Sequence, residues 1–317
     1  MNAEPTIAVV IPVYKGAPYI RAALDSVMMQ THQASEIIVI DDGSPDESGA
    51  IAASYGNKVK VIRQENRGMG NARNTGIRCA KSTWIAFLDQ DDTSHIDRLK
   101  KIYEAALSFP SAKWIYSDWI KLDMNTKKKY YITNPDPLNY EREIRYVCRL
   151  MPSFSAMRRD ALIEVGGFSE QGDLIGVDDH VLALKFMRKF GSTAFVRVPE
   201  ALSVYTAHDT NYGQKIWDHY RGRVALLKYQ LDDLTGIKRW IWRRILMARL
   251  HFDMAMMLRE QFEPGYFEQS VRSLLHWPFS HYALPIGRYK VFAYMLLTRL
   301  NILPAVGRRS RTPSRES

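Results

Sequence analysis

Short apolar runs that end in polar loop residues recur along the N-terminal part of the chain. IAVVIPVY (7–14), EIIVIDDGS (36–44), residues 58–62 and WIAFLDQDD (84–92) each read as a strand followed by a turn. Helical patterns alternate with them, which is the signature of an α/β domain with a mostly parallel sheet. In the first helix Ile20, Leu24, Val27 and Met28 repeat at the spacing of one buried face, and Pro18 suits its first turn. Residues 95–109 read as another amphipathic helix, stopped by Pro110.

Further along, KWIYSDWIKL (113–122), KKYYIT (128–133) and MPSFSAM (151–157) read as strands, with turns at 127–129 and 134–137. DALIEVGGF predicts a short helix broken at Gly166 and Gly167. Residues 178–190 predict a helix with two acids at its start and Arg188 and Lys189 at its end, as the helix dipole favours, closed by Gly191. Beyond Gly213 strand signals stop, and 214–229, 236–260, 266–276 and 286–300 read as helices. The expected organisation is an α/β domain over 1–213, a basic helical extension over 214–305 and a disordered tail over 306–317.

Charge sharpens this division. Residues 1–213 carry 26 Lys and Arg against 26 Asp and Glu, and 214–317 carry 18 against 8, so the whole formal +10 lies in the last third. Such an excess suits an anionic membrane surface, an acidic partner or nucleic acid. It lies outside any nucleic-acid recognition motif, and its aromatics follow helical spacing, so no nucleic-acid partner is expected. The last helix with its polybasic flank, 286–315, suits a peripheral membrane contact, with packing on the first domain or a dimer partner as the alternative. Cys79 and Cys148 fit neither metal spacing nor a disulfide framework, so a reducing cytoplasm is the expected setting. Neither a signal peptide nor an apolar run long enough to span a membrane is read.

The candidate chemistry sits where strands end. Asp89, Asp91 and Asp92 follow an apolar strand and cannot all be buried unpaired, so a cation is expected there. Open α/β sheets bind ligands at the carboxyl ends of their strands, and hard divalent cations that carry phosphates take one or two carboxylates plus phosphate oxygens. Asp92 is also suited to cap a helix starting near Ser94.

IPVY (11–14), IVIDDGS (38–44), ENRGMGNARNTGI (65–77), FLDQDD (87–92), GGF (166–168) and DDHVLALKFMRKFG (178–191) resemble, in this order, the landmarks of the family 2 inverting glycosyltransferases. The resemblance covers about two hundred residues and implies a GT-A, Rossmann-like fold. It implies transfer of a sugar from a nucleotide-diphosphate donor, UDP-linked by family habit, to a hydroxyl acceptor, with Mg²⁺ or Mn²⁺ as cofactor. By that resemblance Asp41 contacts the base or ribose, although Asp42, Ser44 and Asp46 are equally suited to turns and caps. Pro12, Val13 and Tyr14 would line the same pocket, with a buried structural Tyr as the competing account. Arg73 would contact the nucleotide, Arg67 and Arg78 being its rivals.

Asp89 would lie near the ribose with Gln90 beside it, and Asp91 on the metal. Asp179 would be the general base with Asp178 adjacent, while His208 falls where relatives carry a His near the metal or diphosphate. Lys15 stands where relatives often have Asn, and Asp178 replaces the more usual Glu. GQKIW (213–217) lacks the Arg of the Gln-x-x-Arg-Trp motif, so single-sugar transfer is expected and not processive synthesis. The implied acceptor is a glycan or lipid-linked glycan in bacterial surface polysaccharide or glycolipid synthesis. The alternative is a catalytically silent nucleotide-sugar or protein-binding module.

Overall fold

The computed structural model describes residues 4–136, 138–140, 150–174, 176–208, 216–260 and 265–278, together with 289, 292, 293 and 296. Cys148, most of 286–315 and the 306–317 tail, for which a membrane contact and disorder were expected, lie outside the described residues. The chain divides into two compact units, Met1–Gln214 and Lys215–Ser317.

The first unit is built on a nine-stranded sheet. Its strands are β1 (Ile7–Val13), β2 (Glu36–Asp41), β3 (Lys60–Arg63), β4 (Trp84–Phe87), β5 (Thr93–Ser94), β6 (Trp114–Asp123), β7 (Lys129–Ile132), β8 (Ser155–Arg158) and β9 (Phe195–Ala207). They run in the order β3-β2-β1-β4-β8-β6-β9-β5, with β7 attached to β6. The half formed by β3, β2, β1 and β4 is parallel as expected. The other half is mixed, because β8 enters antiparallel between β4 and β6, and β5 and β7 also pair antiparallel. Residues 152–154 form a 3-10 turn where a longer strand was read.

Every residue of β1 is buried, so it carries a continuous apolar run instead of alternation. Ile7, Val9, Ile11 and Val13 pack with Ile20, Ala23, Leu24 and Val27 of α1 (Ile20–Met28) and with Leu99 and Ile102 of α4 (Arg98–Ser108). Pro18 lies in the turn before α1, and α4 begins three residues later than the periodicity indicated. The alternate residue Val10 points to α3 (Met69–Cys79) on the other face. Pro12 is tolerated in this central strand because pairing with β4 ends at Val10, leaving the missing N–H without a ladder to serve.

A short helix α2 (Ser48–Ala53) follows β2, and α5 (Arg159–Glu164) follows β8. Asp178–Phe190, here α6, presents Phe186 edge-on to Trp114 of β6 at 5.0 Å between ring centroids. Its acidic first turn, basic last turn and Gly191, with φ at +72°, match the sequence reading. Asp118 of β6, almost fully buried, accepts from both Arg197 nitrogens at 3.0 and 2.7 Å and from the Asn134 N–H at 2.8 Å. That network fixes β7 and β9 against β6.

The second unit contains α7 (Ile216–Gln230), α8 (Gly236–Glu260) and α9 (Tyr266–His276). Small residues bring α8 and α9 close: Ser273 Oγ donates to the Ala248 carbonyl at 2.6 Å. No helix among the described residues is long and apolar enough to cross a membrane.

The α3–β1 contact depends on Gly76, where an added Cβ would stand 2.3 Å from Val10 Cγ1. Gly76→Ala gains about 1 kcal/mol of helix propensity but overfills a rigid contact. It is expected to lower stability by a net of about 2 kcal/mol in urea denaturation, with Val10→Ala in the same chain restoring most of the loss.

Candidate active site

The ends of β1, β2 and β4 converge at one edge of the sheet. Gln90 clamps the turn after β4 to the end of β1, accepting from the Tyr14 N–H at 2.8 Å and donating to the Tyr14 carbonyl at 3.2 Å. Pro12 and Val13 are buried in the strand, and Tyr14, just past the end of β1, is 40% exposed. Lys15 follows with φ at +53°, a conformation in which Asn is far less strained than Lys. Beside them Asp41, 1% exposed, accepts from the Ser44 N–H at 2.8 Å and from Arg63 at 3.1 Å. Asp42 receives the N–H groups of Arg67 and Gly68 and so shapes the loop into α3.

Arg73 is the buried centre of the site. It donates to Asp89 at 2.7 Å and to Asp178 at 3.2 Å, and its guanidinium carbon lies 5.2 Å from the centre of the Phe168 ring. In this arrangement Arg73 joins α3, the turn after β4 and the start of α6. Arg67 and Arg78, its rivals in the sequence, form ion pairs with Glu65 and Glu170 on the exposed surface.

Asp178 and Asp179 occupy the first turn of α6. Burial raises the Asp178 pKa despite the opposing pull of Arg73. Asp179 is pushed up to about 7, first by burial and then by the neighbouring Asp178 carboxylate. The His180 N–H donates to Asp179 at 2.7 Å, and its outer surface remains partly open.

Asp91 and His208 meet at 3.0 Å, and the His208 ring stacks on Tyr19 with centroids 4.7 Å apart. Burial and the Asp89 charge raise the Asp91 pKa. Asp92 caps no helix; it is buried, accepts from the Thr206 N–H at 3.1 Å, and shares its surroundings with Arg98. Burial pushes the Arg98 guanidinium down to about 10, against the pull of Asp92. Arg98 also donates to the Phe87 carbonyl at 2.8 Å, anchoring the end of β4.

Asp89, Asp178 and Asp179 thus gather around Arg73 and Asp92 near Arg98, with Asp91 beside His208, so carboxyl groups outnumber guanidiniums. Among the described residues no three His, Cys, Asp or Glu side chains converge on one point. The Asp91 and His208 pair, partly exposed, offers one oxygen and one imidazole nitrogen. That donor set fits Mg²⁺ or Mn²⁺ with several positions left for phosphate oxygens. The cavity of about 360 Å³ bounded by Leu138, Tyr140 and Arg188 is at the opposite end of α6 and is not part of this site.

Sequence reasoning missed Arg98, Arg63 and Ser153. Ser153 Oγ accepts from the Asp89 N–H at 2.7 Å and also favours ionised Asp92, so the 3-10 turn is part of the site's support. No spacing rule singles out a serine in MPSFSAM.

Residues 8–166 match the model of the family described as Glycosyl transferase family 2. An uncharacterized glycosyltransferase of Rickettsia typhi, RT0329, is 42% identical over 243 residues, which are 74% of this chain and 70% of that protein. The chain belongs to glycosyl transferase family 2. Among solved structures, S. aureus TarS 1-349 in complex with UDP-GlcNAc aligns with a TM-score of 0.60 at 19% identity, over 90% of this chain and 83% of that one. The mannosyltransferase PcManGT from Pyrobaculum calidifontis, in complex with GDP-Man and Mn²⁺, aligns with a TM-score of 0.60 at 17% identity, over 94% and 81%. The GT-A fold is therefore shared with both. The chain spans 30% or less of the length of several other curated relatives.

Two outcomes follow from this geometry. Arg73→Met leaves Asp89 and Asp178 without their shared cation and is expected to cost about 3–5 kcal/mol in chemical denaturation, with Arg73→Lys recovering only part. Asp179 titrates near 7 in the folded chain and in the ordinary carboxylate range when unfolded, so folding binds a proton between those values. Its contribution to stability is present at low pH and lost as pH rises through about 7. Asp179→Asn should therefore raise Tm by about 4 °C at pH 8, by roughly half as much or less at pH 5 and by less than about 1 °C below the ordinary carboxylate pKa, read by differential scanning calorimetry.

Proposed function

We propose that this chain is an inverting glycosyltransferase that moves one sugar from a nucleotide-diphosphate donor to a hydroxyl acceptor. The observation that carries the reading is Asp179: a carboxyl near neutral pKa, partly open, and not paired directly with the Arg73 that holds its neighbours. A general base for a sugar hydroxyl needs that combination of access and basicity. Family membership and the two nucleotide-sugar-bound neighbours support the same class.

The roles then divide along the sheet edge. Asp41, with Tyr14 and the β1 backbone at Pro12 and Val13, receives the nucleoside. Arg73 orients Asp89 toward the ribose, and Gln90 holds the acidic turn against that pocket. Asp91 and His208 would hold a divalent cation, Mg²⁺ or Mn²⁺, which when bound supplies Lewis-acid stabilisation to the departing diphosphate. Asp179 takes the proton of the acceptor hydroxyl as that oxygen bonds to the anomeric carbon, on the face opposite the breaking bond to the diphosphate. The bonding electrons leave with the diphosphate, and one displacement inverts the anomeric centre. Asp178, tied to Arg73, stands beside Asp179, and its carboxylate charge raises the Asp179 pKa.

The donor nucleotide is proposed as UDP, and the acceptor as a glycan or lipid-linked glycan of a bacterial surface polymer or glycolipid. A cytoplasmic setting with peripheral membrane contact suits that acceptor.

The test is nucleotide release from UDP-, GDP- and dTDP-sugars with Mg²⁺ or Mn²⁺. Asp91→Ala is expected to abolish metal dependence, and calorimetry should show it losing metal-assisted binding of the matching nucleotide diphosphate. Asp179→Asn is expected to lower turnover by about 10²–10⁴-fold while keeping that binding. In the wild type the acidic limb of the rate profile should fall near pH 7, and the residual rate of Asp179→Asn should lack it. Absence of any metal-dependent nucleotide binding would favour a silent binding module.

A further inference from the structure

The second unit exposes apolar side chains in a setting that its own packing does not explain. Ile237 and Trp240 of α8 are 71% and 54% exposed, and Leu275 of α9 is 69% exposed. Ile237, Trp240 and Arg244 share one helical face by their spacing of three and four. Arg244 joins that face to α9: its guanidinium lies 5.6 Å from the centre of the Trp240 ring and donates to the Leu275 and His276 carbonyls at 2.6 and 2.7 Å. Trp240 and the end of α9 that carries Leu275 therefore meet at one cation, with Ile237 about one turn before Trp240 on α8.

More positive charge gathers at the same place. His276, stacked on His251 at 5.1 Å, has its pKa lowered by burial, by His251 and then by Arg244, Arg243 and Arg272 together. Arg243 adjoins Arg244 on α8, Arg272 stands one turn before His276 on α9, and both are exposed. Like charges so close raise one another's energy unless an anion is near.

We infer that Ile237, Trp240 and Leu275, ringed by Arg243, Arg244 and Arg272, form a surface that seats on an anionic lipid bilayer. Exposed aliphatic groups flanking a Trp, set among arginines, match the interfacial zone, where rings sit at headgroup depth, alkyl groups reach acyl chains and guanidiniums meet phosphates. A nucleic acid would satisfy the arginines and leave Ile237 and Leu275 against a charged backbone. This chain's own residues 279–317 carry 7 Lys and Arg against 1 Glu, so they offer the arginines little counter-charge, as does a second copy of the patch. The contact lies on α8 and α9, upstream of the basic segment at 286–315, and does not depend on the enzymatic reading.

The experiment is co-sedimentation of the full chain with vesicles of phosphatidylcholine alone or with phosphatidylglycerol in equal parts. The wild type should sediment with the anionic vesicles and not with the zwitterionic ones. Arg243→Glu with Arg272→Glu is expected to weaken that binding by at least about tenfold, and Trp240→Ser with Leu275→Ser by about tenfold. Arg244 is left intact because it caps α9, and circular dichroism checks the fold of each variant. Arg21→Glu with Lys100→Glu, the same charge change on exposed positions of the other unit, should leave binding within about twofold. Anionic-vesicle binding unchanged in both patch variants would overturn the inference, as would equal losses in the Arg21 and Lys100 control. So would binding to a mixed-sequence DNA duplex that outcompetes vesicles and ignores Trp240→Ser, or a dimer in sedimentation velocity that Trp240→Ser dissociates.

Discussion

The site depends on one buried cation shared by two carboxylates. Arg73 is only 3% exposed and lies between Asp89 and Asp178, which reach it from positions 16 and 105 residues away along the chain. A guanidinium removed from water is tolerable only with close, well-directed acceptors, and its planar fork can serve two at once. Asp89 and Asp178 likewise need a common counter-charge. The ion pairs thus require α3, the end of β4 and the start of α6 to meet in one geometry, which assembles the pocket while it stabilises the fold.

That constraint explains how neighbouring carboxylates come to differ. Arg73 opposes the rise that burial gives Asp178, whereas Asp179 stands beside a negative neighbour and is not hydrogen-bonded to Arg73. Asp91 has an imidazole, while Asp92 has a backbone N–H and a buried guanidinium nearby. Residue type is the same in every case. The partner decides whether the group suits proton transfer, metal binding or support of the scaffold.

Acids at strand ends and at the start of a helix were legible in the sequence, because Asp89, Asp91, Asp178 and Asp179 sit where periodicity changes. The limits of α6, α8 and α9 were legible as well, since each has a strong local start or stop signal. Partners were not. Arg98 stands in RLKK, a pattern indistinguishable from a solvated helix face, yet it is fully buried under Asp92. Asp92 read as a local cap, but its acceptor bond goes to Thr206, 114 residues away. The antiparallel entry of β8 also escaped, because no local pattern encodes which neighbour a short apolar strand will choose.

β9 supplies the last pieces of the acidic turn: the Thr206 N–H for Asp92 and, just past its end, His208 for Asp91. During synthesis the turn at 89–92 leaves the ribosome long before either partner exists. Its carboxylates must stay hydrated until more than a hundred further residues have been added. The parallel half of the sheet can assemble early around β1, but the acidic pocket closes only when the far edge arrives. A chain stalled before position 206 would therefore lack the Thr206 N–H and the His208 ring that meet the acidic turn.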